Sequence, residues 1–194
     1  MKLKVRLFWV VILTVGLFVA WHSSLLSSLL RPTLVHRGFV SLENTKPQTD
    51  ILVYESLGIS APISVNAGTS PLVQADWSVI RESLMHGVSL AYTDSTFDDS
   101  KLAFITGHSS DTTRHPFDSV FAPLGQAKVG DKFQVFLSDT QYDYQVISRQ
   151  TIAPTNTEEF LALGSKDEAK RVALVTCWPP LTTKTRMVVV GQRL

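Results

Sequence analysis

The chain opens on a dense apolar run and then changes to short alternating segments. Leu7–Leu30 carries no charged residue, and its first part, Leu7–Trp21, is almost wholly apolar. These 24 residues would span about 36 Å as a helix, enough to cross a hydrocarbon core of about 30 Å. We therefore predict one transmembrane helix within residues 1–30.

The charges beside this run predict its orientation. Lys2, Lys4 and Arg6 precede it, and residues 1–30 contain no acid. Positive flanks stay in the cytoplasm, so we expect a single-pass cell-membrane protein with a cytoplasmic N-terminus, an N-terminal helix in contact with membrane lipid, and an extracellular remainder. A cleaved signal peptide is the alternative, but small residues suited to cleavage are poorly placed here.

A polar spacer follows the apolar run. Arg31-Pro32 ends the predicted helix, because proline removes a backbone donor and restricts the preceding residue. Ser41–Asp50 is polar and contains a proline. Residues 31–50 are therefore interpreted as a stalk that holds the rest of the chain off the membrane.

From Ile51 onward the alternation of apolar and polar positions is typical of strands. Ser138-Asp139-Thr140 separates two of these segments and predicts a hairpin. Many short strands with few helices predict a mainly β domain over residues 51–194, either a closed barrel or a sandwich. The predicted strands are Ile51–Tyr54, Ile59–Val65, Leu102–Thr106, Lys132–Leu137, Tyr142–Ser148, Val172–Thr176 and Met187–Val190.

Helical periodicity is confined to a few short segments. Asp76–Met85 has one apolar face, formed by Trp77, Ile80, Leu84 and Val88. A helical turn is also expected near Phe117–Leu124, and a short helix over Thr157–Leu163 with Thr157 as its cap.

Composition narrows the classes of function. Hydrophobic residues make up 44% and charged residues 18% of the chain, which excludes global disorder. The formal charge, 18 − 17 = +1, argues against nucleic acid as a partner. A single cysteine excludes an intrachain disulfide and any metal site built from several cysteines.

That cysteine, Cys177, is a candidate nucleophile. It ends an apolar strand and is followed by Trp178-Pro179-Pro180, where the strand must give way to a loop. The alternative is a small buried hydrophobic residue, but an extracellular lone thiol risks oxidation unless it has a use.

A cysteine nucleophile needs a base, and His108 is the best placed of the five histidines. It begins the loop after the strand Leu102–Thr106, as Cys177 does after its own strand. The others are His22 in the apolar run, His36 in the stalk, His86 at a helix end and His115 in a polar loop, where we expect it to be solvated.

Arg186 is the third candidate, because it opens the last strand nine residues after Cys177. A loop between two strand ends can bring a guanidinium near the thiol, where it could hold a carbonyl or an oxyanion with directed donors. The alternative is that Arg186 only caps a strand end that is exposed to solvent and has no part in catalysis.

These residues resemble the sortases. The runs Ile105–Ser110 and Ala173–Cys177, followed by Arg186, are similar to the histidine, cysteine and arginine motifs of that family, although Ala173 stands where the family often has threonine. The resemblance covers residues 51–194 and implies a closed β-barrel of about eight strands. Further matches follow in the family's order: Ile59–Ile63, Gly87–Asp99, Phe117–Leu124, Val129–Asp131 and Tyr142–Val146.

The resemblance also implies an activity. Cys177 would attack the Thr–Gly carbonyl of a signal similar to Leu-Pro-x-Thr-Gly at the C-terminus of a surface protein, leaving a thioester. His108 would protonate the leaving amine and deprotonate the incoming one, from a cell-wall precursor or a pilin. Arg186 would bind the signal and the oxyanion, with the hydroxyl or the amide of Thr176 completing that site.

The resemblance implies no cofactor, and it leaves calcium dependence and subclass open. Glu158 and Glu159 alone do not make up the calcium site of some members. A non-catalytic, membrane-anchored β-domain for adhesion or wall binding is the alternative function. A papain-like protease is excluded, because its cysteine precedes its histidine.

Overall fold

Eight strands close into one barrel in the computed structural model, which describes residues 50–67, 77–92, 96–164 and 169–194. Their order around the barrel is β1-β2-β3-β4-β7-β8-β6-β5, and β5 pairs with β1 to close it. The prediction of a mainly β, closed barrel is confirmed. The strands are β1 (Ile51–Tyr54), β2 (Ile59–Ala67), β3 (Val88–Tyr92), β4 (Leu102–Thr106), β5 (Lys132–Leu137), β6 (Thr140–Ile152), β7 (Arg171–Trp178) and β8 (Thr185–Arg193).

Two α-helices and two 3-10 turns complete the described elements. They are α1 (Trp77–His86), α2 (Thr157–Leu161) and the turns Glu55–Leu57 and Ala122–Gln126. The helix predicted over Asp76–Met85 is confirmed for its described part. Val88 was wrongly placed on its apolar face, because Gly87 ends the helical run and Val88 begins β3.

The cap of α2 also differs from the prediction. Asn156, not Thr157, precedes the helix, and its side-chain oxygen accepts the N–H of Glu159 at 3.2 Å. Asparagine and threonine both cap helices well, so composition alone did not decide between neighbours.

The apolar positions of the strands fill two clusters on opposite faces of the sheet. The barrel interior is packed with side chains such as Leu52, Ile105 and Leu174, all fully buried. The second cluster lies outside the barrel, where Phe160 of α2 packs with Val175 of β7. β7 is therefore buried on both faces, which explains its nearly continuous apolar sequence.

The β5–β6 hairpin was predicted from its turn residues. Ser138 and Asp139 form a two-residue turn with φ values of 47° and 66°. Positive φ at both central residues matches the twist of the flanking strands. The predicted turn is thus confirmed.

The predicted transmembrane helix of residues 1–30 lies outside the described residues, as does all of the predicted stalk except Asp50. In the part of the chain that the structure describes, every helix is too short or too polar to span a bilayer.

Candidate active site

The ends of three neighbouring strands bring the candidate residues to one edge of the barrel. β7 and β8 are antiparallel, and their register pairs Cys177 directly with Arg186. β4 runs parallel to β7, with Thr106 opposite Val175. His108 and Cys177 each lie two residues beyond that pair, so they occupy neighbouring positions where the two segments leave the paired region. The strand order β4-β7-β8 therefore places His108, Cys177 and Arg186 side by side.

Cys177 and Arg186 share one face of the sheet. Directly opposed residues of antiparallel strands have Cβ atoms about 4.5–5.5 Å apart. The thiol is free and half-buried. Nη1 of Arg186 donates to the carbonyls of Thr183 and Thr185, both at 3.3 Å. Since a guanidinium has five N–H donors, these two long bonds leave donors for a substrate oxygen.

Hydrogen bonds fix the backbone of His108 on both sides. We call residues 107–121 the histidine loop. The hydroxyl of Thr176 donates to the carbonyl of Gly107 at 2.7 Å, and the N–H of Phe121 donates to the carbonyl of His108 at 2.8 Å. A Cβ on Gly107 would lie 2.7 Å from the ring of Phe121, so this close approach requires glycine.

Thr176 connects β7 to the histidine loop. Its side chain is buried, and its hydroxyl already donates to Gly107. To donate to a substrate oxygen, that hydroxyl would have to break this bond. The role of Thr176 in binding the signal or the oxyanion stays a prediction, whereas its contact with the loop is direct.

The environment of His108 favours the neutral imidazole. Its side chain is 21% exposed, and burial is the largest influence, lowering its pKa below the ordinary value. The carboxylates of Asp111 and Asp118 oppose this effect, while His115 adds to it. Because the net pKa shift is downward, most His108 side chains are unprotonated at neutral pH.

Asp111 and His115 stand against His108 and were not identified as site residues from the sequence. Oδ2 of Asp111 lies 3.3 Å from Nε2 of His108 and 3.6 Å from Nε2 of His115. The expectation that His115 is solvated is wrong, since its side chain is 7% exposed. Its ring packs edge-on against the ring of His108, with the two centroids 5.4 Å apart. The spacing of three and seven residues after His108 was the available signal.

Among the described residues, these same three side chains could in principle hold a metal ion. One nitrogen of each histidine and one oxygen of Asp111 lie within 4.8 Å of one another. Two histidines and one carboxylate are a donor set that zinc accepts. Glu158 and Glu159 lie elsewhere, in the first turn of α2.

The β7–β8 loop, residues 179–184, lies against the histidine loop. The N–H of Leu181 donates to the hydroxyl of Ser110 at 2.6 Å. Trp178, just before the loop, packs so closely on Gly125 that a Cβ there would lie 2.2 Å from the indole ring. These contacts hold the chain immediately after Cys177 in a fixed course.

Comparison with known protein families identifies one matching domain. A family model described as Sortase domain matches residues 51–194, which include every strand of the barrel. No curated protein matches the sequence significantly.

Solved structures with the same fold are also sortases. Sortase C-1 from Actinomyces oris is 23% identical with a TM-score of 0.58, covering 85% of this chain and 84% of that one. Sortase C-1 from Streptococcus pneumoniae is 28% identical with a TM-score of 0.57, covering 75% and 66%. A lid mutant of sortase A from Corynebacterium diphtheriae is 17% identical with a TM-score of 0.58, covering 89% and 94%. Sortases C and A match about equally well, so the subclass stays open.

Proposed function

Because the chain belongs to the sortase family of transpeptidases, we propose that Cys177, His108 and Arg186 catalyse transpeptidation through a thioester on Cys177. The observation that carries the proposal is the strand register. Cys177 pairs with Arg186, and His108 follows the parallel strand on the other side. Nucleophile, base and anion-binding donors thus come from three adjacent strand ends.

The first step forms the thioester. Neutral His108 takes the proton of the Cys177 thiol as the sulfur attacks the Thr–Gly carbonyl of a signal similar to Leu-Pro-x-Thr-Gly. Guanidinium N–H groups of Arg186 stabilise the oxyanion of the tetrahedral intermediate. His108 then gives the proton to the leaving glycine amine, and the C–N bond breaks. The acyl group stays on sulfur.

The second step transfers the acyl group to an amine. An amino group of a cell-wall precursor or a pilin attacks the thioester, and His108 takes the proton that this amine loses. When the tetrahedral intermediate collapses, the new amide forms and the sulfur leaves. The sulfur recovers the proton from His108, which restores the starting state.

The position in the cell is part of the same proposal. The basic residues Lys2, Lys4 and Arg6 and the uncharged run Leu7–Leu30 support an uncleaved membrane anchor with the barrel outside the cell. Protease added to intact cells should then digest the barrel and spare an N-terminal tag. A tag digested from outside, or a mature chain beginning near Ser23, would contradict this topology.

The activity can be tested with the full chain in detergent. Peptides containing Leu-Pro-x-Thr-Gly, incubated with amines such as oligoglycine or a lysine peptide, should yield a product joined at threonine, measured by mass spectrometry. The Cys177→Ala chain is the matched control and should yield none. Peptide binding without any cleavage by the wild type would instead favour the non-catalytic binding domain.

A further inference from the structure

Asp111 faces two imidazoles, and the catalytic steps above give it no role. Its Oδ2 lies 3.3 Å from Nε2 of His108 and 3.6 Å from Nε2 of His115. In the part of the chain that the structure describes, both Nε2 atoms are buried and without a hydrogen-bond partner. Buried polar atoms are normally hydrogen-bonded, so two such atoms beside one carboxylate need an explanation.

The carboxylate of Asp111 is held in its ionised form by its own loop. The N–H of Thr113 donates to Oδ1 at 3.1 Å. Burial pushes the pKa of Asp111 upward, but hydrogen bonds from Thr113 and Thr112 and the nearby His108 keep the pKa below its ordinary value. Oδ2 is therefore a charged acceptor directed at the two rings.

The proton of His115 can be placed from its second nitrogen. The N–H of Phe117 donates to Nδ1 of His115 at 3.3 Å, so Nδ1 carries a lone pair and neutral His115 carries its proton on Nε2. A metal ion at this cluster would need a lone pair on that same Nε2. The arrangement therefore favours N–H donation to Asp111 over metal coordination.

We propose that Asp111 is a positioning residue that keeps the proton of neutral His108 on Nε2, leaving Nδ1 as the base for the Cys177 thiol. His115 is the second imidazole beside the carboxylate, with its Nε2 at 3.6 Å from the same oxygen. This inference rests on the proposed role of His108. Asp111 accepts a hydrogen bond before and after His108 takes the thiol proton, and it is not itself protonated. Active-site hydrogen bonds are often long in the free enzyme, as this 3.3 Å contact is, and shorten when substrate binds.

Nitrogen NMR of the full chain with ¹⁵N-labelled histidine tests the inference without any turnover. At pH 8 the His108 signals, assigned by their loss in His108→Gln, should show the proton on Nε2. Asp111→Asn should shift the population toward the Nδ1-protonated ring, because the amide can donate to Nε2. A wild-type ring protonated on Nδ1 would overturn the inference, even if the enzyme proves active.

Kinetics give a second readout that a merely structural role would not move. Asp111→Asn should lower kcat by about 10²-fold, in the range that a positioned base contributes, and leave KM within about twofold because Asp111 does not touch substrate. The charge of Asp111 raises the pKa of His108, so losing that charge should move the acidic limb of kcat/KM to lower pH. The variant keeps His115 and Asp118, the other two groups that influence this pKa. Asp111→Glu should recover part of the rate.

The matched control is the exposed pair Glu82–His86, whose atoms lie 3.6 Å apart. Glu82→Gln makes the same chemical change outside the site and should alter neither kcat nor the pH limb. Wild-type kcat and pH dependence in Asp111→Asn would overturn the inference. If the wild type forms no product while its His108 tautomer is as expected, the proposed function fails and the positioning contact stands.

Zinc distinguishes hydrogen bonding from metal coordination at this cluster. In the Cys177→Ala chain the thiol cannot bind the ion, so calorimetric titration with Zn²⁺ reports the remaining ligands. We expect no zinc binding that depends on Asp111. Micromolar binding that disappears in the double variant with Asp111→Asn would overturn the hydrogen-bonded arrangement.

Discussion

At the turn before β5, both polar groups that face Oδ2 of Asp131 are hydrogen-bonded to it, whereas in the histidine loop the two imidazoles that face Oδ2 of Asp111 are not. We call residues 126–131 the Asp131 turn. The hydroxyl of Tyr54 and the N–H of Lys128 each donate to Oδ2 of Asp131 at 2.9 Å. The imidazoles beside Asp111 stand at 3.3 and 3.6 Å. The Asp131 turn forms its polar contacts fully in the folded protein. The imidazoles beside Asp111 lie too far away for full hydrogen bonds, which we interpret as a feature of a catalytic site.

The difference separates stability from catalysis. Burial and the Asp131 carboxylate raise the pKa of Tyr54 far above its ordinary value, so the phenol stays a neutral donor at any ordinary pH. A satisfied buried bond stabilises the fold, while unsatisfied groups cost stability and persist at functional sites. Changes at the Asp131 turn should therefore affect unfolding, and changes near the histidine loop should affect turnover.

The largest effect is expected for Cys177→Ala. Loss of the nucleophile should lower kcat by on the order of 10⁴ or more. Because the side chain is half-buried, the change should cost under about 1 kcal/mol and move the Tm by roughly 3 °C at most. Transpeptidation rates and thermal melts check both halves. Full activity in this variant would contradict the assignment of Cys177 as the nucleophile.

Arg186→Lys should be nearly as damaging as Arg186→Ala. Lysine keeps the charge but lacks the planar set of donors, and one lost oxyanion donor costs on the order of 10²–10³ in rate. Lys184→Ala is the matched control, because Lys184 is an exposed cation at the end of the loop that leads into β8, and it should behave as wild type. Measuring kcat/KM against pH for both Arg186 variants distinguishes directed hydrogen bonding from charge alone. If lysine restored most of the activity, the positive charge and not the set of donors would be what matters.

Two glycine substitutions compare the histidine loop with the barrel interior, because an added Cβ would overlap an aromatic ring at either position. A Cβ on Gly107 would lie 2.7 Å from the Phe121 ring, and one on Gly191 would lie 2.4 Å from the Phe133 ring. Each overpacking should cost about 1–3 kcal/mol in urea unfolding. Only Gly107→Ala should also lower the turnover of the folded fraction, since it displaces His108. Equal loss of turnover in both variants would contradict the separation.

The smallest effect is expected for Tyr54→Phe. It removes one donor to Asp131, which keeps the N–H of Lys128. The free energy of unfolding should fall by about 1 kcal/mol, measured by urea titration, with kcat per folded molecule unchanged. A fall in kcat larger than the loss of folded protein would show that the Asp131 turn also affects catalysis, which would contradict the separation.

Much of the barrel could be predicted, because alternation and turn residues are local properties. β3 was not predicted, since Val88–Tyr92 follows α1 after Gly87 alone and continues its apolar spacing. Burial on both faces of β7 had to be learned from the packing of α2. Tertiary contacts, not the local pattern, decided both.

The strand-end positions of Cys177, His108 and Arg186 could also be predicted. Their pairing depends on register, which the nine-residue spacing from Cys177 to Arg186 allows but does not determine. The neighbours Asp111 and His115 depend on how the histidine loop turns back on itself. Such a loop course has no period, so the spacing of three and seven residues after His108 did not by itself predict these contacts.

The central claim is that an acyl group is carried on Cys177, and the mass of the intact enzyme tests it most directly. With a Leu-Pro-x-Thr-Gly peptide and no amine acceptor, the wild type should gain the mass of the peptide fragment ending at threonine. Digestion at acidic pH should locate the gain on the fragment containing Cys177, and hydroxylamine should remove it. Cleavage of the peptide with no adduct under rapid acid quench, or with an adduct on any other residue, would contradict the account.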